Sequence, residues 1–142
     1  SEEEFADKLE AGEFLEHAGV HKWHYGTLRS SVTSLLEAGF DVIMDIDIQG
    51  AAQIRAGNDP LIQSRLVDVF LMPSDTLELE RRLRARGSED EETFRLRMEN
   101  ALKEMEHWQD YTYRILSSSR ESDHGSIKAI IDAERLRVAR MS

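Results

Sequence analysis

The sequence contains no cysteine, no long apolar segment and no excess of basic residues. The absence of cysteine excludes disulfides, zinc sites built on thiolates and a cysteine nucleophile. No apolar stretch approaches the ~20 residues that a helix needs to cross a bilayer, and the acidic amino end, Ser1 to Glu4, is the reverse of a basic signal peptide. We therefore expect a cytoplasmic protein without a membrane partner.

Acidic side chains outnumber basic ones by 28 to 18, and the formal net charge is −10. This charge repels a nucleic-acid backbone, so nucleic acid is not an expected partner. An anionic ligand would need a local group of arginines, and such a group lies between Arg81 and Arg86. The length of 142 residues and the hydrophobic content of 40% predict one ordinary soluble domain.

The amino-terminal part of the chain predicts a helix followed by short strands. Ser1 and Glu4 have the spacing of a capping box and Gly12 is a helix stop, so we expect a first helix over residues 2–11. Short alternations of aromatic, charged and glycine positions over residues 13–26 are typical of small strands and a turn.

The rest of the chain alternates between strand and helix patterns, which indicates an α/β fold with a parallel sheet. Strands are predicted at residues 41–48 and 67–72, the second stopped by Pro73, and these two are expected to pair in parallel. The other predicted elements are a helix over residues 28–38 with Val32, Leu35 and Leu36 inward and Gly39 at its end, a short helix over residues 50–56, a helix from Ser74 to Gly87, a helix opened by Ser88 and Glu91, a strand over residues 111–116, a polar loop over residues 117–125, and a terminal helix marked by Ile127, Ile130, Ile131 and Val138.

Two carboxylates near the end of the predicted strand at residues 41–48 are the most informative feature. Side chains alternate along a strand, so Asp45 and Asp47 point to one face while Met44 and Ile46 point to the other. Ligands of open α/β sheets bind beyond the carboxyl ends of the strands, where a carboxylate pair can hold hydrated Mg²⁺ or a cationic side chain. The alternative is a strand that has simply reached solvent.

Several short segments form a specific pattern when they are taken together. They are residues 12–16 (Gly-Glu-Phe-Leu-Glu), 25–27 (Tyr-Gly-Thr), 45–50 (Asp-Ile-Asp-Ile-Gln-Gly), 82–87 (Arg-Leu-Arg-Ala-Arg-Gly), Glu91-Glu92 and Arg97. With them the chain resembles bacterial guanylate kinases almost throughout. The resemblance implies a P-loop nucleoside monophosphate kinase fold, with an incomplete parallel sheet that has helices on both faces. A GMP-binding lobe would cover residues 1–35, and the core would cover residues 36–142 with a lid at about residues 84–97.

The resemblance also implies the reaction of ATP with GMP to give ADP and GDP, with Mg²⁺ as cofactor. Glu16 matches the carboxylate that accepts hydrogen bonds from guanine N1 and N2, which suits a pure acceptor with two oxygens. Thr27 matches a hydroxyl contact to the base, Tyr25 a phenol donor to the GMP phosphate, and Asp45 is expected among the GMP-binding residues. From the residues alone, Glu16 could equally be solvated and Tyr25 a packing aromatic.

Three arginines are implied to act on phosphate. Arg82 and Arg86 share a helix face, and Arg97 follows on the next helix. By resemblance all three are catalytic lid residues, and Arg82 and Arg86 bind ATP, since guanidinium offers bidentate donors to phosphoryl oxygens. The alternative is that they favour the helix dipole and pair with Glu78 or Glu80.

Two roles remain for the carboxylates at the strand end. Asp45 and Asp47 resemble the pair that orients arginines and hydrated Mg²⁺, and Asp47 is expected to be catalytic and to hold the metal through water.

Arg81 and Arg84 are interpreted as solvated. The histidines at 17, 21 and 24 lack a carboxylate shell, so a metal site there is not expected.

The chain departs from the family pattern in two places. No Gly-x-x-x-x-Gly-Lys-Ser/Thr motif occurs in it; in the family that motif lies upstream of the matching region. Ser117, Ser118 and Ser119 stand where the resemblance implies Asn-Asp-Asp, so the adenine-side contact of the family does not carry over to these residues by resemblance. We therefore expect a fragment that is inactive on its own, with unpaired sheet edges through which a homo-oligomer could form.

A second class of function stays open at this point. Guanylate-kinase-like binding modules use the nucleotide lobe to recognise a phosphorylated ligand, and a pseudo-enzyme is a further alternative. Such modules tend to lose the second strand carboxylate and the lid arginines. Asp47, Gln49, Arg82 and Arg86 are all present here, which favours the enzyme.

Overall fold

The structure of the protein, a computed structural model, describes residues 1–20, 23–87 and 90–140. The chain divides into two units, one from Ser1 to Leu66 and one from Val67 onward. The predicted boundary between a lobe over residues 1–35 and a core from residue 36 falls inside the first unit and stays a prediction.

The first unit begins with a helix packed beside a hairpin. Helix α1 (Glu2–Glu10) has the predicted capping box, and it ends before Gly12, whose φ of 65° is left-handed and favours glycine. Strands β1 (Phe14–Val20) and β2 (Trp23–Leu28) pair antiparallel, which confirms the predicted small strands. The ring of Phe5 on α1 lies 4.6 Å from that of Phe14 and 5.1 Å from that of His24.

Three helices complete the first unit. They are α2 (Arg29–Glu37), α3 (Ile48–Ala56) and α4 (Pro60–Arg65). Helix α4 was not predicted, although Asp59 caps its first amide groups and Pro60 occupies the first turn. Helix α2 buries Val32 as predicted, but Leu35 is 45% exposed, so its predicted inward position is wrong.

The core of the first unit is one apolar cluster. Its buried members are Leu15, Val32, Ile54 and Ile62, and the partly buried side chains packed against them are Leu36, Val42, Met44, Ile46 and Leu66. These residues come from the hairpin, from three helices and from the connecting segments. The cluster therefore fixes the hairpin against α3, which positions the candidate site described below.

The predicted strand at residues 41–48 has the expected alternation of exposed and buried side chains but, among the residues that the structure describes, it is not part of a sheet. The exposure of residues 41–47 alternates, with Asp45 and Asp47 exposed and Met44 and Ile46 partly buried. However, the segment joins neither of the two sheets in the described part of the chain, and residue 48 already begins α3. Periodicity reports which side faces the core, but a strand also needs a hydrogen-bonded neighbour.

The second unit contains a parallel strand pair. Strands β3 (Val69–Pro73) and β4 (Tyr113–Ser117) pair in parallel, with Val69 opposite Tyr113 and Pro73 opposite Ser117. The prediction that the segment at residues 67–72 pairs with the one at residues 41–48 is therefore wrong. The connection between the true partners contains α5 (Thr76–Arg86), α6 (Glu91–Met105) and a 3-10 turn at Glu106–Asp110.

The last helix starts earlier than predicted. Helix α7 (Arg120–Arg135) begins inside the predicted polar loop, because Ser119 caps it by accepting from the Ser122 amide and acidic side chains occupy its first turn. Val138 is not part of this helix; it lies in a 3-10 turn (Val138–Arg140) and is 82% exposed.

The start of α6 also differs from the prediction. Asp90 is the N-cap and accepts from the Thr93 amide, whereas the predicted Ser88 lies outside the described residues. In the ranges that the structure covers, no helix is both long and apolar enough to cross a bilayer.

Candidate functional site

A buried carboxylate lies on the hairpin of the first unit. Glu16 on β1 is only 9% exposed, and its Oε1 accepts a 2.7 Å hydrogen bond from the Thr27 hydroxyl on β2. The pairing register places Glu16 directly opposite Thr27, so the antiparallel hairpin itself brings the two side chains together. A carboxylate has about four lone-pair sites, and Thr27 occupies one of them.

Tyr25 lies on the same face of the hairpin. It is two residues from Thr27 on β2 and opposite Ala18 on β1, so alternation directs its side chain to the Glu16 face. Tyr25 is 61% exposed, unlike a packing aromatic. The structure thus places three sequence-predicted residues on one face of the hairpin: a buried acceptor, a hydroxyl and an exposed phenol.

Helix α3 is attached to the outer edge of β1. The Gln53 side chain accepts from the backbone amide of His17 at 2.9 Å and donates to its carbonyl at 2.8 Å. In this way Gln53 satisfies both backbone groups of an edge residue, as a neighbouring strand would. The first turn of α3 is held next to Glu16 as a result.

Gly50, in the first turn of α3, lies close to the Glu16 carboxylate. It is buried, and a Cβ placed on it would lie 3.0 Å from Glu16 Oε2. Its amide donates to Asp47 Oδ1 at 2.8 Å, so Asp47 caps α3. Asp47 is therefore a neighbour of the Glu16 site, whereas Asp45 is exposed and makes no hydrogen bond with the described residues.

The second unit carries the arginine group on α5, centred on Glu78. The carboxylate of Glu78 accepts from Arg81 Nη2 and from Arg82 Nε, each at 2.7 Å. Hydrogen bonds from Arg81 first and Arg82 second lower the pKa of Glu78 from its ordinary 4.5 to about 2. Arg82 Nη2 also lies 3.5 Å from the carbonyl of Ser117, at the carboxyl end of β4.

The remaining arginines differ in how firmly they are held. Arg84 is exposed and pairs with Glu80 and Glu91, each at 3.1 Å. Arg81 is likewise bound to Glu78. Arg86 is exposed, and no ion pair joins it to another residue in the described ranges. Arg97 is exposed on α6.

The loop after β4 is ordered by Asp123. Its carboxylate accepts from the Ser117 hydroxyl at 2.6 Å and from the Ser118 amide at 3.1 Å. The serines that replace the family's Asn-Asp-Asp are thus used to join β4 to α7. No local pattern indicates this contact, because it depends on how α7 packs at the end of β4.

Metal ligands are sparse in the part of the chain that the structure describes. No group of three or more His, Asp or Glu side chains there could hold a metal ion by itself. His21 lies outside that part. Mg²⁺ in phosphoryl-transfer sites usually takes one or two carboxylates and otherwise waters and substrate phosphates. Asp47, with Oδ1 on the Gly50 amide, fits a single water-mediated contact of that kind.

Comparison with known proteins identifies the family. A family model described as guanylate kinase matches residues 1–134. The chain belongs to the guanylate kinase family. A guanylate kinase of Yersinia pestis (bv. Antiqua, strain Antiqua) is 44% identical over 140 residues, which are 99% of this chain and 65% of that relative. A guanylate kinase of Escherichia coli (strain K12) is 41% identical over 138 residues, 97% of this chain and 64% of the relative.

A solved structure supports the same conclusion for the fold. The crystal structure of guanylate kinase from Anaplasma phagocytophilum matches with a TM-score of 0.76 and 28% sequence identity, covering 97% of this chain and 64% of that one. The predicted α/β fold of guanylate kinase type is thereby confirmed. The chain spans 65% of the length of the curated Yersinia pestis relative.

Two residues of the site were missed by the sequence reasoning. Gln53 and Gly50 carry no unusual chemistry, and their role depends on the contact between α3 and β1, which are separated by the whole of β2 and α2. The only available signal was their spacing of three, which puts both on one face of α3.

Proposed function

We propose that this chain contributes the GMP site and the arginine-bearing helices of an enzyme that transfers the γ-phosphoryl group of ATP to GMP. The observation that carries the proposal is the buried Glu16 carboxylate, held by Thr27 at 2.7 Å with acceptor capacity remaining. A buried carboxylate is costly unless donors satisfy it. Guanine presents two adjacent donors, N1–H and the N2 amine, whereas adenine has an acceptor at N1.

Tyr25 and Asp45 complete the proposed GMP site. The exposed phenol of Tyr25 is on the Glu16 face, where it can donate to the phosphate once the base occupies Glu16. We assign Asp45 to the edge of the GMP site, because it is exposed and lies two residues before Asp47 in a segment whose exposure alternates. Both assignments depend on the orientation in which the base enters the hairpin face.

Arg86, Arg82 and Arg97 are the proposed phosphate-binding arginines. Phosphoryl transfer is accelerated mainly by positioning and by positive charge around the transferred group. Arg86 has no competing acidic partner among the described residues and can contribute its full charge. Arg82 is oriented by Glu78, so it is preorganised at the carboxyl end of β4.

Mg²⁺ is the proposed cofactor, with Asp47 as its protein contact through water. When bound with ATP, the ion neutralises phosphate charge. Asp47 itself caps α3, and its Oδ1 is occupied by the Gly50 amide. We place the protein in the cytoplasm on the ground that ATP and GMP, its proposed substrates, are charged metabolites held inside cells.

A hybrid enzyme tests the proposed activity. The 142 residues are assayed alone and fused behind the amino-terminal segment of the Yersinia pestis relative, with ADP release coupled to a spectrophotometric readout. We expect no turnover from the chain alone, since it has no P-loop motif, and turnover from the hybrid with GMP but not with AMP. A folded hybrid that is inactive, or that uses AMP equally well, contradicts the proposal. So does turnover by the 142 residues alone.

A further inference from the structure

The first turn of α3 packs against Glu16 at Gly50, where an added Cβ would be in tight contact with the carboxylate. A Cβ on Gly50 would lie 3.0 Å from Glu16 Oε2, 3.4 Å from Ile46 Cβ and 3.5 Å from Asp47 Oδ1. The contact with Oε2 is the tightest of the three and is closer than an ordinary van der Waals contact. An added methyl group would therefore press first on the carboxylate.

Glu16 cannot yield without losing its orientation. Its other oxygen, Oε1, is bonded to the Thr27 hydroxyl at 2.7 Å. The backbone of the next residue, His17, is fixed by both hydrogen bonds to Gln53. Because the strand is held, we expect the carboxylate itself to yield to a methyl group at position 50, by a few tenths of an ångström.

The usual reasons for a glycine do not apply at this position. Left-handed φ values occur among the glycines at Gly12 and Gly39, and Gly50 is not one of them. Gly50 also lies within α3, where alanine is the better helix former. Neither backbone conformation nor helix stability accounts for glycine here, which leaves the space around its Cβ position, where Glu16 Oε2 is the nearest of the three atoms.

We propose that Gly50 is a positioning residue for guanine recognition: the absence of its side chain sets the direction in which the Glu16 carboxylate faces the base. This inference rests on the proposed role of Glu16 as the acceptor for guanine N1 and N2. It adds the statement that the first turn of α3, and not only the hairpin, determines how well the site binds GMP.

A double-mutant cycle with GMP as the probe tests the inference. GMP is titrated calorimetrically into the 142-residue chain and its variants Gly50→Ala, Glu16→Ala and the double variant, and each variant is unfolded in urea. Gly125→Ala is the matched control, since a Cβ there meets nothing within 4 Å. Gly50→Ala should weaken GMP binding by about tenfold, because misplacements well below 1 Å are costly in preorganised sites.

The cycle separates an effect on Glu16 from an effect on packing. In the Glu16→Ala background, Gly50→Ala should change GMP affinity by less than about twofold, since the carboxylate on which it acts is gone. The urea midpoint of Gly50→Ala should not fall below that of the unchanged chain. Gly125→Ala should leave GMP affinity unchanged.

If Glu16→Ala weakens GMP binding, the proposed role of Glu16 stands, and three results would then overturn only the inference about Gly50. They are unchanged affinity in Gly50→Ala, equal losses in both backgrounds, and failure of both Gly50→Ala and the double variant to fold. If Gly50→Ala fails to fold but the double variant folds, the clash is with the carboxylate and the inference is supported. Unchanged affinity in Glu16→Ala, or no GMP binding by the unchanged chain, overturns the proposed function and the inference together.

Discussion

The Thr27 hydroxyl donates a 2.7 Å hydrogen bond to Oε1 of Glu16 across the β1–β2 hairpin. This bond orients a buried carboxylate and occupies one of its acceptor sites. Thr27→Val keeps the shape of the side chain but removes the donor, at a cost of about 1.5–3 kcal/mol for a hydrogen bond to a charged group. We expect GMP affinity to fall by roughly 10- to 100-fold.

Thr27→Ser is the control for that change. It retains the hydroxyl and should bind GMP within about threefold of the unchanged chain, allowing for the lost methyl packing. Calorimetry on both variants separates the hydroxyl from the rest of the side chain. Equal affinities for Thr27→Val and Thr27→Ser would show that this hydrogen bond does not support the site.

Gln53 should contribute more to the free energy of unfolding than an exposed glutamine on the same helix. Gln53→Ala leaves the amide and the carbonyl of His17 without their partner, and each part-buried group costs about 1–3 kcal/mol if it stays unsatisfied. The urea midpoint should fall clearly. Gln49→Ala, an exposed change on the same helix, should leave the midpoint nearly unchanged. Similar midpoints for the two variants would argue against a structural role for the Gln53 contact.

The local elements were predictable because their signals are local. The capping box at Ser1, the hairpin over residues 13–26 and the alternation around Asp45 and Asp47 all depend on neighbours in sequence, and the structure contains each. Helix α4 was missed although Asp59 and Pro60 carried its signal.

The non-local parts were not predictable in the same way. Whether residues 41–48 join a sheet depends on a partner strand, and periodicity does not report one. The contact of α3 with β1 through Gln53 depends on how two distant segments pack. For the candidate site, the resemblance predicts Glu16, Thr27 and Tyr25. The roles of Gly50 and Gln53 follow only from the three-dimensional contact between α3 and β1.

Glu78 predicts a specific pH dependence of stability. Its pKa is lowered from 4.5 to about 2 by Arg81 and Arg82. The folded state therefore binds fewer protons than the unfolded state in this window, so the contribution of Glu78 is fully present above pH 4.5 and is lost as the pH falls towards 2. Glu78→Gln should be less stable than the unchanged chain at pH 7, and the difference should shrink between pH 4.5 and 2.

Urea unfolding of the two proteins across that pH range checks the prediction. Glu92→Gln is the control, because Glu92 is exposed and its replacement removes the same charge. A stability difference for Glu78→Gln that stays constant from pH 7 to pH 2 would contradict the assigned linkage.

Arg86 and Arg84 provide a matched pair for the lid. In the hybrid enzyme, Arg86→Ala should lower turnover by about 10²-fold or more and leave GMP affinity nearly unchanged, since the group acts mainly on the transition state. Arg84→Ala should affect turnover much less, because that guanidinium is bound to Glu80 and Glu91. Single-turnover kinetics with GMP and MgATP measure both. Equal losses for the two variants would argue against a special role for Arg86.

The assignment of Glu16 as the guanine acceptor is tested most directly by titrating GMP into the 142-residue chain and into its Glu16→Gln variant. The amide places a donor against the donors of the base, so we predict an affinity loss of about 1–3 kcal/mol, or roughly 5- to 150-fold, with AMP binding weak in both. Equal GMP affinity in the two proteins would contradict the account.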